Sequence, residues 1–142
     1  MPIKPSITVL TLGVDDLNRA FAFYREGLGF PSEGILGADD DHGGVAFFDL
    51  NLGLKLALWS RADIANDARL KVSPAAPTNF TIGHNVRTRG EVDEVMQRAI
   101  KSGAKLVKHP QDTFWGGYAG YFQDPEGHLW EVVWNPHLMP AE

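Results

Sequence analysis

The chain has 142 residues, 44% of them hydrophobic and 22% charged, with 15 Gly, 9 Pro and no Cys, a composition that excludes a disordered tail, a fibre or a disulfide-framed scaffold. A globule of this length buries roughly two thirds of the surface its unfolded chain exposes, enough for one core without cross-links. With 13 basic and 18 acidic residues the net charge is -5, which opposes phosphate backbones, so nucleic acid is not an expected partner. No apolar run approaches the roughly 18 residues of a membrane span, and the start of the chain lacks an apolar signal region, so a cytoplasmic protein with no membrane partner is expected.

Residues 7–14 are mostly β-branched or apolar and predict a buried strand. Asp15 or Asp16 then caps a helix whose apolar stripe is Leu17, Phe21, Tyr24 and Leu28, stopped by Gly27 and Gly29. A turn rich in Gly and Asp, including Asp39, Asp40, Asp41 and His42, leads to strands at 45–50 and 54–59. Residues 60–79, rich in Ala, Asn and Pro, form a connecting segment with a short helix at 63–70.

The order then repeats. A strand at 80–86 precedes a helix with Val92, Val95, Met96, Ala99 and Ile100 on its apolar face, and Thr88 with Glu91 has the form of a capping box. Further strands are expected at 105–108, 117–123 and 128–134, the last two joined by Asp124-Pro125-Glu126-Gly127. The helix-ending glycines and the pre-strand glycines share one offset, since 103 − 29 and 127 − 53 are both 74. The fold class is therefore α+β, an internal duplication of a βαβββ module: module one at about 7–59, a linker at 60–79, module two at about 80–134 and a tail at 135–142.

Two stretches carry a family likeness: Val14-Asp15-Asp16-Leu17 through Phe23-Tyr24 to Leu28-Gly29-Phe30, and Gly120-Tyr121-Phe122-Gln123-Asp124-Pro125-Glu126-Gly127-His128-Leu129-Trp130-Glu131. Together with the paired modules, the sequence resembles the vicinal oxygen chelate superfamily, the glyoxalase, bleomycin-resistance and extradiol dioxygenase group. The resemblance implies a single domain in which the two modules form a curved mixed-sheet cup around a ligand, with helices outside, and a homodimer. Metal-dependent members hold a divalent ion with four cup-facing residues. The matching positions here are Val9, Ala57, Thr81 and Glu131, and only the last is a metal-ligand type. An ungapped count back from Gly103 puts His84 at the third position instead. Alternation assigns His84 to the apolar face of Phe80, Ile82 and Val86, and Thr81, Gly83 and Asn85 to the other. No metal or other cofactor is expected.

Glu131 stands between Trp130 and Val132 in an apolar strand, where a carboxylate is unexpected. A tight hairpin around 124–127 pairs it with Tyr121 on one face, and these two are the candidate catalytic residues. Trp115 beside Gly116 and Gly117 offers a flat wall for a ligand. Thr11, Thr81, Asn85, Trp115, Tyr121 and Glu131 are the candidate ligand contacts. Each has a plainer role open to it: Glu131 as an inherited ligand position bonded to a neighbour, the aromatic residues as core. The acidic turn fits no calcium loop, and His109, His128 and His137 lie in loop contexts suited to the surface.

Three functions stay open on the sequence. One is a binder of a small, partly aromatic molecule without a metal. The second is a lyase or isomerase in which Glu131 moves a proton and Tyr121 or Asn85 steadies an oxyanion. The third, a divalent-metal-dependent glyoxalase or dioxygenase, requires different ligand positions.

Overall fold

Asp16 sets the start of the first helix. Following strand β1 (Val9–Val14), its carboxylate accepts from the Arg19 N–H at 3.0 Å, so α1 (Leu17–Ala22) opens with one of its otherwise unpaired donors satisfied. A π-helical turn at Phe23–Gly27 prolongs the helix, and Gly29 ends it at φ 79°, a conformation that costs glycine little. The computed structural model describes residues 2–38 and 43–140; the acidic turn of Asp39, Asp40, Asp41 and His42 lies outside the described residues.

Three more strands complete the first unit: β2 (Ile35–Leu36), β3 (Val45–Asp49) and β4 (Lys55–Ser60). The sheet order is β1-β4-β3-β2, with β1 parallel to β4 and the other pairs antiparallel. Leu12, Val14, Phe48, Leu56 and Leu58 are buried with Ala20, Phe23 and Tyr24 of the helix and its π-turn, and the Tyr24 and Phe48 rings meet at 5.9 Å between centroids. Val9, Thr11, Phe47 and Ala57 alternate onto the opposite face. The strand begins at Val9 rather than Ile7, which is exposed.

The segment expected to link the modules holds α2 (Arg61–Ala68), where the Ser60 hydroxyl accepts from the Asp63 N–H at 3.3 Å. By internal packing the chain divides into two compact units, Met1–Ser73 and Pro74–Glu142.

The second unit contains β5 (Thr81–Val86), α3 (Arg89–Lys101), β6 (Lys105–Asp112), β7 (Tyr118–Gln123) and β8 (Leu129–Trp134). Its sheet order is β5-β8-β7-β6, again with one parallel pair, β5 with β8. Each unit is thus a βαβββ module with the same strand order, and the fold is α+β with two four-stranded mixed sheets. Thr88 caps α3 by accepting from the Glu91 N–H at 3.1 Å. The return bond of the box runs from the Arg87 N–H to the Glu91 carboxylate, one residue before the cap.

Val92, Met96 and Ala99 form the buried stripe of α3, whereas Ile100, expected in the core, keeps 37% of its surface. Strand β6 is the reason. It lies at the sheet edge and is longer than the sequence suggested, with register breaks between Leu106 and Lys108 and between Lys108 and Gln111, so it does not close over that flank of the helix. Gly120 permits the irregularity: a Cβ there would lie 2.9 Å from the Pro110 nitrogen and 3.0 Å from the Lys108 carbonyl oxygen. At the start of α3, Arg89 lies over the Tyr118 and Trp134 rings at 5.3 and 5.0 Å and bonds Asp112, tying three strands to the helix.

The turn before β8 is built on Asp124, a polar residue only 3% exposed. Its carboxylate accepts from the Glu126 and His128 N–H groups, each at 2.9 Å, and Gly127 supplies the positive φ of 91°. This fixes the β7–β8 register on which the neighbouring side chains depend.

Candidate functional site

The two faces of the second unit's sheet differ in chemistry. On one, the Tyr118 phenol donates to Asp93 of α3 at 2.8 Å, so Tyr118 and the residues of its parity, Phe122, Trp130 and Val132, lie on the helix side. His84 pairs in register with Val132 and therefore shares that side, where burial lowers its pKa from the usual 6.5. The other face, free of α3, presents Thr81, Gly83, Asn85, Tyr121, Gln123 and Glu131. Thr81, not His84, thus stands at the third of the positions matched through the resemblance.

Across the open face, Gly83, Glu131 and Tyr121 are consecutive register partners on β5, β8 and β7. The Tyr121 hydroxyl donates to Glu131 Oε2 at 3.1 Å. Desolvation, then the Glu131 charge and the hydrogen bond to it, raise the phenol above its usual 10.0, so the proton stays on Tyr121 at neutral pH. Both side chains are half-buried. Gly83 leaves a notch beside them: a Cβ there would touch only Asn85 Nδ2, at 3.6 Å. The result is a carboxylate, a phenol and an amide on adjacent positions, two acceptors and a donor able to grip a polar group or relay a proton.

The remaining candidates fall elsewhere. Thr81 spends its hydroxyl on the Leu129 carbonyl at 3.3 Å. Trp115 sits in the turn closed by Thr113 and Gly117, its ring packed against Gly117 so closely that a Cβ there would collide with it. Gly117 has the parity of Tyr121 but lies four residues away along the strand line, about 13 Å. The ring therefore flanks the open face without covering the Tyr121–Glu131 pair. Thr11 belongs to the first unit, opposite Ala57 in register.

The first unit repeats the rung without the carboxylate or the phenol. Thr11, Ala57 and Phe47 are partners on β1, β4 and β3, occupying the places of Gly83, Glu131 and Tyr121. A groove of about 530 Å³ adjoins Phe47, Leu36 and Pro31; on its wall Lys55 pairs with Asp49 at 2.5 Å, and Glu33 adds a further negative charge.

These residues do not fit a divalent metal. Val9 and Ala57 have no donor atom, Thr81 is engaged with the backbone, and Glu131 alone falls short of the three protein ligands such a centre needs. No group of three His, Cys, Asp or Glu side chains suited to an ion occurs among the described residues. Sequence reasoning missed Gly83, although a glycine inside a strand is itself a signal of close approach.

The family model of the Glyoxalase/Bleomycin resistance protein/Dioxygenase superfamily matches residues 6–132. The chain belongs to that superfamily. Among solved structures it is similar to a glyoxalase-related enzyme from Fulvimarina pelagi, with 32% identity over 92% of this chain and 88% of that one, at a TM-score of 0.78. It is also similar to a lactoylglutathione lyase from Agrobacterium tumefaciens, with 25% identity over 94% and 96% of the two chains and a TM-score of 0.69. A glyoxalase/bleomycin resistance protein/dioxygenase from Nocardioides, 23% identical over 100% of this chain and 91% of that one with a TM-score of 0.77, shares the fold. A comparison with curated proteins gives no match.

Proposed function

We propose that the protein binds a small, partly aromatic organic molecule on the open face of its second unit, without a divalent metal. The observation that carries this reading is the Tyr121–Glu131 pair, held on a face that α3 does not cover and beside the notch at Gly83. A half-buried carboxylate whose hydrogen-bond partner is a phenol keeps acceptor capacity for a ligand. The half-buried Trp115 at the edge of the same face supplies an apolar surface for stacking.

A second reading draws on the same hydrogen bond. In a lyase or isomerase, Glu131 would take a proton from the carbon next to a substrate carbonyl, and the electron pair would move onto the carbonyl oxygen. The Asn85 amide would donate to that oxygen, joined by the Tyr121 hydroxyl once protonation of Glu131 frees it. That the Fulvimarina pelagi relative is described as an enzyme gives this reading weight.

The separating experiment is Glu131→Gln, which keeps shape but removes charge and basicity. A ligand found by fluorescence screening of aromatic compounds should bind this variant about as well as the parent if it is neutral. Turnover that relies on Glu131 as base should fall by roughly two to four orders of magnitude with little change in affinity. If neither Glu131→Gln nor Tyr121→Phe alters any ligand or turnover, and only stability moves, the pair is structural and both readings fail.

A further inference from the structure

We infer that the opposite, helix-covered side of the second unit carries a separate site for a small organic anion with an apolar body, set between α3 and the irregular edge strand β6. The groove there encloses about 600 Å³, and its lining includes Met96, Ile100, Lys101, Leu106, His109 and Pro110, a size typical of small-molecule sites. It is independent of the Tyr121–Glu131 face, because the sheet lies between them.

Two features build it. Positions 93, 96, 97, 100 and 101 of α3 form one wall, a run that follows the helical period. The other wall is β6, whose register breaks flank Lys108 and whose backbone at Lys108 and Pro110 crosses over the bare Gly120, bringing His109 and Pro110 to the helix side. A regular edge strand would leave no such wall. The floor of Met96, Leu106 and Ile100 is apolar, and the 37% exposure of Ile100 is the surface that a ligand would cover.

Charge decides the class of ligand. Among the side chains that line the groove, Lys101 and His109 are the basic ones and Asp93 the acidic one. Lys101 makes no ion pair among the described residues. The acid that lines the groove, Asp93, already accepts from Tyr118. It lies eight residues from Lys101 along the helix, about 12 Å, beyond the screening length at physiological salt. An anionic group therefore belongs at the Lys101 and His109 end, with the apolar body reaching along Ile100 and Met96 toward the Tyr118 ring. An aromatic or short aliphatic carboxylate or sulfonate meets both requirements.

The test uses the intact protein and two probes that share an aromatic body, anilinonaphthalene sulfonate and its uncharged counterpart phenylnaphthylamine. The sulfonate should saturate a single site, and its amide chemical-shift changes should cluster at 96–101 and 106–110. Lys101→Glu should weaken it about tenfold or more, with phenylnaphthylamine affinity unchanged. Lys71→Glu, an exposed charge reversal in the other unit, should leave both probes unaffected. Equal loss of sulfonate binding in the two variants, unaltered binding in Lys101→Glu, or shift changes confined to Asn85, Tyr121 and Glu131 would overturn the assignment.

Discussion

Tyr121 keeps its proton because everything near it disfavours a phenolate: partial burial, the Glu131 charge and the hydrogen bond it donates. Ultraviolet difference titration of the protein against Tyr121→Phe should therefore place this phenol above the ordinary tyrosine range near 10. In Glu131→Gln the midpoint should move down, yet not fully, because burial remains; an unchanged midpoint would mean that the two groups do not interact in solution. His84 is the opposite case. Burial lowers its pKa, so between the usual value of 6.5 and the folded one the unfolded chain binds more protons. Stability tied to His84 is thus present above about pH 6.5 and declines as pH falls through the folded value. His84→Gln should flatten the fall of melting temperature on the acid side of neutrality, as followed by calorimetry at several pH values. The pairing of Tyr121 with Glu131 was legible in the sequence, since a tight turn at 124–127 fixes which residues oppose one another. The distance of Trp115 from that pair was not, because the geometry of the Thr113–Gly117 turn depends on bonds that no pattern of residue types encodes.

Helix starts and tight turns were the most legible elements, each resting on a local bond between neighbours in sequence. Asp16 and Thr88 cap as short polar residues should, whereas α2, expected at 63–70, starts two residues earlier behind the Ser60 cap. Edge strands were the least legible: β2 is two residues long, and β6 continues through Pro110, which only an edge position allows. The Asp124 turn and the Asp16 cap contrast local bonds under burial and exposure. Asp124→Ala would strand two partly buried N–H groups, a loss of about 2–3 kcal/mol, whereas Asp16→Ala should cost about 1 kcal/mol at its exposed cap. Urea unfolding of the two variants checks the ranking, and a smaller effect at Asp124 would show that solvent takes over its bonds.

At the scale of the whole molecule, the offset of 74 residues between paired glycines marked the duplication in the sequence, and the two sheets share one strand order. The positions that the family resemblance matches to the ion-binding residues of metal-dependent members are Val9, Ala57, Thr81 and Glu131. Chelator treatment is therefore expected to leave melting temperature and ligand affinity unaltered, and elemental analysis of the purified protein should find no stoichiometric zinc, nickel, iron or manganese. A clear drop in melting temperature after chelation, restored by one of these ions, would show that other residues bind metal.

The duplicated rung carries different chemistry in its two copies. Phe47 and Ala57 stand where Tyr121 and Glu131 stand in the other copy, separated from them by the same 74 positions. The first copy lacks both the phenol oxygen and the carboxylate. Ala57 is 2% exposed, so a carboxylate placed there would lose its water and would have only the hydroxyl of Thr11, its register partner, to turn to. A designed Phe47→Tyr with Ala57→Glu would therefore ask whether the first unit's sheet can hold the same pair, with the second unit as its internal reference.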